Sequence, residues 1–207
     1  MKQKVLFVVV LEEQPPQQNF SLKNLPGESK IDVVARNILN IYPRLETNIS
    51  VTYYAVFTKV NAMALQVKHL LLRDEPYDEI EIASFIRDAL QNPIDNLQLD
   101  ALNNCEDFCW YNLGNFQWFL EELVAKGYSI YYLHEDGKSI DGYRQDIGCA
   151  EKISFVLGGR QDISIEHDEM ITKLSNKKVN LGEKSYLASS CILKTIFEID
   201  KIHEETS

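Results

Sequence analysis

Two short apolar segments near the C-terminal end of the chain each run directly into glycine. Residues 155–157 (Phe-Val-Leu) precede Gly158 and Gly159, and residues 179–181 (Val-Asn-Leu) precede Gly182. In open α/β sheets, ligands bind beyond the carboxyl ends of the strands, and glycine lets backbone amides approach a ligand closely. These segments therefore predict a small-molecule site in the last third of the chain.

A third glycine supports the same interpretation. Gly137 follows another apolar segment, residues 128–133, after the polar residues His134, Glu135 and Asp136. One glycine after a strand is more often an ordinary turn. Three such positions in the same third of the chain favour a shared site that admits a flat ligand.

The glycine pattern also argues against the common nucleotide-binding sites. The first apolar segment, residues 4–10, is followed by Leu11, Glu12 and Glu13 rather than by closely spaced glycines. Neither G-x-G-x-x-G nor G-x-x-x-x-G-K-[ST] occurs in the chain. Rossmann dinucleotide sites, Rossmann methyltransferases and P-loop sites are therefore not favoured.

Acid–base chemistry has two candidate pairs. Asp32 and Arg36 are four residues apart and would share one face of a helix, where a carboxylate could accept a proton and a guanidinium could stabilise negative charge. The alternative is a surface salt bridge of little energetic weight. Glu135 and Asp136 are further candidates, and a polar turn before Gly137 explains them equally well.

The cysteines do not predict a metal centre. Cys105, Cys109, Cys149 and Cys191 form no paired C-x-x-C units, and the four histidines are scattered. A zinc site needs about four ligands at suitable spacing, so we expect no metal. The spacing is also too loose for a disulfide scaffold, and we expect reduced thiols.

Length and composition predict one compact domain spanning residues 1–207. The chain is 45% apolar and 25% charged, which is sufficient for a sizeable core. The net charge of −10 argues against coating nucleic acid by bulk electrostatics, although a local basic patch remains compatible with it. The longest apolar run at the N-terminus is too short for a signal peptide or a membrane span, so we expect a soluble cytoplasmic protein without a membrane partner.

Strands alternate with helices along the whole length, which predicts an α/β sheet with crossover connections. Strands are predicted at residues 4–10, 48–57, 64–72, 108–111, 128–133, 153–157 and 178–181. Helices are predicted at residues 31–42, 80–90, 116–126, 166–174 and 190–203. The aromatic residues between positions 110 and 119 are interpreted as core or interface rather than as a base-stacking surface.

Several motifs occur in the order and spacing of one known family. They are residues 19–22 (Asn-Phe-Ser-Leu), 25–27 (Leu-Pro-Gly), 31–36 (Ile-Asp-Val-Val-Ala-Arg), 133–137 (Leu-His-Glu-Asp-Gly), 155–158 and 179–191. In this respect the chain resembles the archaeal tRNA pseudouridine N1-methyltransferases and their bacterial relatives. The resemblance covers nearly the full chain.

The resemblance implies a SPOUT-type α/β sheet with flanking helices and a C-terminal deep trefoil knot, in a homodimer. The knot and the S-adenosylmethionine site would lie within about residues 128–203. Cys191 would pack against the cofactor as a small residue, since nothing basic beside it in sequence would activate its thiol. The implied cofactor contacts, mostly through backbone, are Leu133, Gly158, Leu181, Gly182, Glu183, Lys184, Ser185, Tyr186 and Cys191.

The reaction implied is S-adenosylmethionine-dependent methylation of N1 of a pseudouridine in tRNA or other RNA, with Asp32 and Arg36 as the catalytic pair. The RNA would contact local basic residues, namely Lys30, Arg36, Arg160 and Lys184. Where archaeal relatives continue with Asp and His after Gly158, this chain has Gly159 and Arg160. Together with the net acidity, this leaves open a catalytically altered protein that binds S-adenosylmethionine or a nucleoside. An α/β dimer with an unrelated small-molecule substrate is the third alternative.

Overall fold

The described part of the chain folds around an eight-stranded sheet. The computed structural model describes residues 2–41, 49–68, 77–95, 107–159, 162–175, 177–182 and 184–206. The strands are β1 Gln3–Leu11, β2 Ile49–Phe57, β3 Ala62–Val67, β4 Ile94–Asp95, β5 Phe108–Gly114, β6 Ser129–Ser139, β7 Lys152–Gly158 and β8 Lys178–Asn180. The helices are α1 Ile31–Ile41, α2 Glu79–Ala89, α3 Phe116–Ala125, α4 Arg144–Cys149, α5 Ile165–Ser175 and α6 Ala188–Thr206.

The sheet has the order β4-β5-β3-β2-β1-β7-β6-β8. Strands β2, β1, β7, β6 and β8 are parallel to one another, which confirms the α/β class. The prediction of crossover connections throughout is wrong for β3, which pairs antiparallel with both β2 and β5. Only residues 58–61 join β2 to β3, and so short a link permits a hairpin but no crossover.

Strand β1 lies in the middle of the sheet because both of its faces are apolar. Val5, Phe7 and Val9 face the core beneath α1, α2, α4 and α6. Leu6 and Val8 face the core beneath α3 and α5. Burial on both faces explains the continuous apolar run in the sequence.

Most predicted elements are confirmed, with shifts of one to three residues at most ends, whereas β6 extends six residues beyond its predicted end at residue 133. The short elements β4 and α4 were not predicted, and residues 69–72 of the predicted third strand lie outside the described residues. Trp110, Tyr111, Phe116 and Phe119 are buried, as expected for core aromatics.

The expectation of reduced thiols is wrong for Cys109, which is disulfide-bonded, whereas Cys149 and Cys191 are free. Disulfide pairing depends on the distance and direction of two Cβ atoms in the folded chain, which sequence spacing does not reveal. Within the described residues, no group of three or more acidic, histidine or cysteine side chains could hold a metal ion. No described helix is long and apolar enough to cross a membrane.

Candidate active site

A cavity of about 690 Å³ opens at the carboxyl ends of β7 and β8 and at residues 132–136 of β6. This is the edge at which parallel sheets bind ligands, and the volume lies within the usual range for small-molecule sites. Glu183, which was expected to contact the cofactor, and Arg160, which was expected to contact RNA, lie outside the described residues. All the other residues that the sequence assigned to the cofactor line this one cavity, namely Leu133, Gly158, Leu181, Gly182, Lys184, Ser185, Tyr186 and Cys191.

The apolar part of the cavity wall comes from the neighbouring strands β6 and β7, from the residue that follows β8, and from the start of α6. Leu133, Leu157, Leu181 and Ala188 are all buried and all line the cavity. Leu133 pairs with Val179 across β6 and β8, and this pairing brings the two strand ends together. Such a wall suits a flat, weakly polar ring system.

The polar part of the wall begins in β6, where the pairing with β8 is interrupted. Leu133 and Lys138 both pair with Val179, so residues 134–137 form a bulge between two pairings to the same partner. A Cβ atom on Gly137 would overlap the backbone of Val179, so the bulge requires glycine at this position. His134, Glu135 and Asp136 line the cavity from this bulge. The alternative of an ordinary turn closing the strand is wrong, since β6 continues to Ser139.

The segment that follows β8 is held by side-chain hydrogen bonds. Asn180 donates to the carbonyl oxygen of Gly137 at 2.6 Å and accepts from the amide of Gly182 at 3.2 Å. Gly182 has a φ of 124°, which side chains other than glycine rarely adopt. Further along, Lys194 lies over the ring of Tyr186, with its ammonium nitrogen 4.9 Å from the ring centroid.

Helix α5 contributes an ionised carboxylate that the sequence did not single out. Asp168 lines the cavity and accepts a hydrogen bond from the hydroxyl of Tyr132 at 2.8 Å. Lys178 lies 3.3 Å from the same oxygen, and His134 Nε2 lies 3.7 Å from it. Burial alone would raise the pKa of Asp168, but the hydrogen bonds from Tyr132 and Lys178 and the charge of Lys178 lower it overall. The sequence feature that could have indicated this carboxylate is the group of acidic residues at the start of the predicted helix that follows Gly158.

The residues present fit S-adenosylmethionine. Its adenine ring matches the apolar wall, and its positively charged sulfonium matches the polar wall, where carboxylates outnumber the lysine Lys184. The backbone at Gly158 and Gly182 leaves room for close approach by the ligand. The described acidic residues lining the cavity are Glu135, Asp136, Asp162, Asp168 and Glu169.

Cys191 lines the cavity as a packing residue. Its sulfur lies 3.7 Å from the carbonyl oxygen of Tyr186, to which the thiol donates. Burial raises the pKa of this thiol, and the nearby ammonium of Lys194 offsets only part of that effect. A thiol with a raised pKa is a poor nucleophile, and the packing of Cys191 against the cofactor stays a prediction.

Asp32 and Arg36 share one face of α1, as the spacing predicts, but neither lines the cavity. Asp32 is only 6% exposed, and its Oδ1 has no hydrogen-bond partner among the described residues. Arg36 lies 3.9 Å from Asp32 and 3.1 Å from Glu79 of α2. Among the expected RNA-contacting residues that the structure describes, only Lys184 lines the cavity.

Comparison with known proteins identifies the family. A family model described as "Putative SAM-dependent RNA methyltransferase" matches residues 4–204. The tRNA (pseudouridine(54)-N(1))-methyltransferase of Thermococcus onnurineus is 24% identical over 205 residues, covering 95% of this chain and 97% of the relative. That of Thermococcus gammatolerans is 27% identical over 192 residues, covering 90% and 92%.

A solved structure has the same fold. Archaeoglobus fulgidus Nep1 bound to S-adenosylhomocysteine matches with a TM-score of 0.59 at 11% identity, over 99% of this chain and 100% of that chain. This likeness supports the SPOUT-type fold that the sequence motifs imply. Since the family model spans nearly the whole sequence, the chain belongs to the family of S-adenosylmethionine-dependent RNA methyltransferases.

Proposed function

We propose that this methyltransferase modifies N1 of a pseudouridine in tRNA. The observation that supports this most directly is the convergence of the family's cofactor positions on one cavity at the carboxyl edge of the sheet. The relatives in Thermococcus that match almost the full chain are named for the same reaction. The assignment of the chain as a bacterial relative stays a prediction.

The cavity residues bind and orient the methyl donor. When bound, S-adenosylmethionine supplies an electrophilic methyl group on a good leaving group. Leu133, Leu181 and Ala188, which line the cavity, would hold its adenine, and the backbone at Gly158 and Gly182 would make the close polar contacts. Alignment contributes much of the rate in such a displacement, because a well-oriented pair of reactants has already lost its translational freedom.

Asp32 and Arg36 act on the acceptor base. N1 of pseudouridine is an imide-type nitrogen that loses a proton as it is methylated, and the unpartnered Oδ1 of Asp32 is a suitable acceptor. Arg36 exchanges its contact with Glu79 for the base or a phosphate, where its guanidinium stabilises negative charge. Both residues belong to a helix that starts after the carboxyl end of β1, at the same edge of the sheet as the cavity.

The remaining features follow from the resemblance. The chain is a single domain over residues 1–207 whose C-terminal segment forms a deep trefoil knot, and it works as a cytoplasmic homodimer. Local basic residues, with Lys30, Arg36 and Lys184 among them, contact the RNA. The knot and the cofactor site coincide within about residues 128–203.

A specific observation favours a second candidate, a catalytically altered protein that binds S-adenosylmethionine or a nucleoside. Arg36 is engaged with Glu79 at 3.1 Å, and neither Arg36 nor Asp32 reaches the cavity. Gly159 also occupies a position where the archaeal pattern has a polar residue. Under this alternative the cavity keeps its ligand while the acceptor side is inactive.

Two measurements on the purified protein separate the candidates. Isothermal titration with S-adenosylmethionine is expected to show binding, and incubation with a tRNA transcript that contains pseudouridine is expected to yield N1-methylpseudouridine by nucleoside mass spectrometry. The matched control is the same transcript with uridine in place of pseudouridine, which should accept no methyl group. Absence of donor binding at millimolar concentration would overturn the first candidate and would leave, of the second, only the binding of a nucleoside. Binding without incorporation into any RNA tested would support the second.

A further inference from the structure

The carboxylate of Glu12 joins three segments at the carboxyl edge of the sheet. Glu12 follows β1 directly, and its Oε2 accepts a hydrogen bond from the hydroxyl of Thr58, just after β2, at 2.9 Å. Its Oε1 accepts from the backbone amide of Ser164 at 2.9 Å. The same oxygen lies 2.7 Å from Nδ1 of His167 in α5.

His167 completes the cluster from the side of α5. Its Nδ1 also lies 3.1 Å from the hydroxyl oxygen of Ser164, and that oxygen accepts from the backbone amide of His167 at 3.4 Å. Its ring packs edge-to-face on Phe116 at the start of α3, with the centroids 5.3 Å apart. The side chains of Glu12 and His167 are 13% and 16% exposed, so the pair is largely shielded from solvent.

The cluster fixes the segment that forms one wall of the cavity. Ser164 precedes α5, and its carbonyl oxygen accepts from the amide of Asp168 at 2.8 Å in the first turn of that helix. Ile163, Ile165 and Asp168 all line the cavity, whereas Glu12 and His167 do not. Any effect of the pair on the ligand therefore passes through the position of this wall.

We propose that Glu12 and His167 are positioning residues that hold the start of α5 against the end of β1 and so set the wall of the cofactor cavity that contains Asp168. The proposal rests on the assignment of the cavity to S-adenosylmethionine. It predicts that loss of the pair weakens donor binding and raises KM for the donor, while kcat at saturating donor changes little. A purely structural pair would change the melting temperature and leave KM unaltered.

The test compares Glu12→Ala with the conservative Glu12→Gln by titration with S-adenosylmethionine and by steady-state kinetics. Alanine removes the acceptors for Ser164, Thr58 and His167, and we expect about tenfold weaker donor binding from the loss of these hydrogen bonds. Glutamine has the same length and keeps one side-chain oxygen that can accept hydrogen bonds. We therefore expect its donor affinity to lie within about threefold of wild type. Wild-type affinity in Glu12→Ala, or an equal loss in both variants, would overturn the proposal.

Asp78→Ala provides a matched control. The Asp78 side chain caps α2 by accepting a hydrogen bond from the backbone amide of Glu81. Like Glu12, it is a carboxylate bound to an amide near a helix start, but it does not line the cavity. Its removal should lower the melting temperature and leave donor affinity and KM unchanged. An equal loss of donor affinity in Asp78→Ala would overturn the proposal, because general destabilisation would then explain both variants. Should Glu12→Ala fail to fold, Ser164→Ala removes the hydroxyl that contacts the ring and the backbone amide of His167, keeps the amide bound to Glu12, and is tested in the same way.

Amide hydrogen exchange separates failure of this proposal from failure of the proposed function. In the ligand-free protein, Glu12→Ala should speed exchange at the amides of His167 and Asp168 by about tenfold, and Asp78→Ala should not. Faster exchange with no donor binding in wild type would retain the positioning role and reject the cofactor assignment. Unchanged exchange would overturn the positioning role itself.

Discussion

Asn180 and Gly137 are joined by a hydrogen bond of 2.6 Å from the side-chain amide of Asn180 to the carbonyl oxygen of Gly137. The other end of the same side chain accepts from the amide of Gly182 at 3.2 Å. One residue at the end of β8 thus connects the bulge in β6 to the segment that lines the cavity after β8. The two parts of the wall are therefore expected to move together.

Replacing Asn180 with alanine should loosen both parts of the wall at once. Each of the two hydrogen bonds contributes about 1 kcal/mol, so we expect donor affinity to fall by up to about thirtyfold. Titration of S-adenosylmethionine into the variant measures this loss. Asn112→Ala is the control, since Asn112 pairs with the exposed Asp95 near the opposite edge of the sheet. Equal affinities in the two variants would contradict the prediction.

Replacing Gly137 with alanine should destabilise the pairing of β6 with β8. The added methyl group would overlap backbone atoms of Val179, which cannot move without disturbing the sheet, and such overpacking costs about 1–3 kcal/mol. Gly142→Ala is the control because a Cβ there meets nothing within 4 Å. Chemical denaturation of both variants measures the free energy of unfolding. A loss for Gly142→Ala as large as that for Gly137→Ala would exclude this explanation.

The sequence located the cavity because the ends of parallel strands meet at one edge, so that glycine after β7 and glycine after β8 had to lie close together. It did not reveal the bulge at residues 134–137, which depends on how β6 pairs with Val179. Nor did it reveal the contact of Glu12 with His167, which are 155 positions apart. Helical periodicity indicated α5, but only tertiary packing directs Asp168 into the cavity.

Asp32→Asn and Arg36→Ala should reduce methyl transfer while leaving donor binding within about twofold of wild type, because neither side chain lines the cavity. Loss of a proton acceptor typically costs about 10²–10⁴-fold in rate. Single-turnover incorporation into tRNA measures the rate, and titration measures donor affinity. Glu79→Gln is informative as a third variant, since it removes the competing charge 3.1 Å from Arg36 and should not lower the rate. Wild-type rates in Asp32→Asn would exclude this residue as the base.

The stability contributed by Glu12 should disappear in acid. Burial alone would raise the pKa of Glu12, but the hydrogen bonds from His167, Ser164 and Thr58 lower it from 4.5 to about 2. A depressed carboxyl pKa stabilises the folded state above the unfolded value and loses that effect as pH falls through the folded value. The free energy of unfolding of the wild type should therefore exceed that of Glu12→Gln by up to about 3 kcal/mol near neutral pH. The difference should shrink between pH 4.5 and about 2. Denaturation of both proteins across this range measures it, and a pH-independent difference would contradict the prediction.

The acidic lining of the cavity should make donor binding depend on charge. S-adenosylmethionine has a positive sulfonium, whereas the sulfur of the product S-adenosylhomocysteine is neutral, so the carboxylates around the cavity favour the donor. At an effective dielectric constant suited to a partly exposed site, this preference is on the order of 1 kcal/mol, or about fivefold in affinity. The partial positive charges at the starts of α5 and α6, about half an elementary charge each, oppose this preference.

Titration of both ligands at low and high salt tests this effect. Donor affinity should fall as salt rises and product affinity should change little, since screening acts on the net charge. Asp162→Asn removes an exposed carboxylate that lines the cavity. This variant should lower the affinity for the donor more than the affinity for the product. Asp88→Asn is the matched control, because Asp88 is an exposed carboxylate of α2 that does not line the cavity. Equal salt dependence for the two ligands would mean that the lining does not distinguish the charged donor from the neutral product.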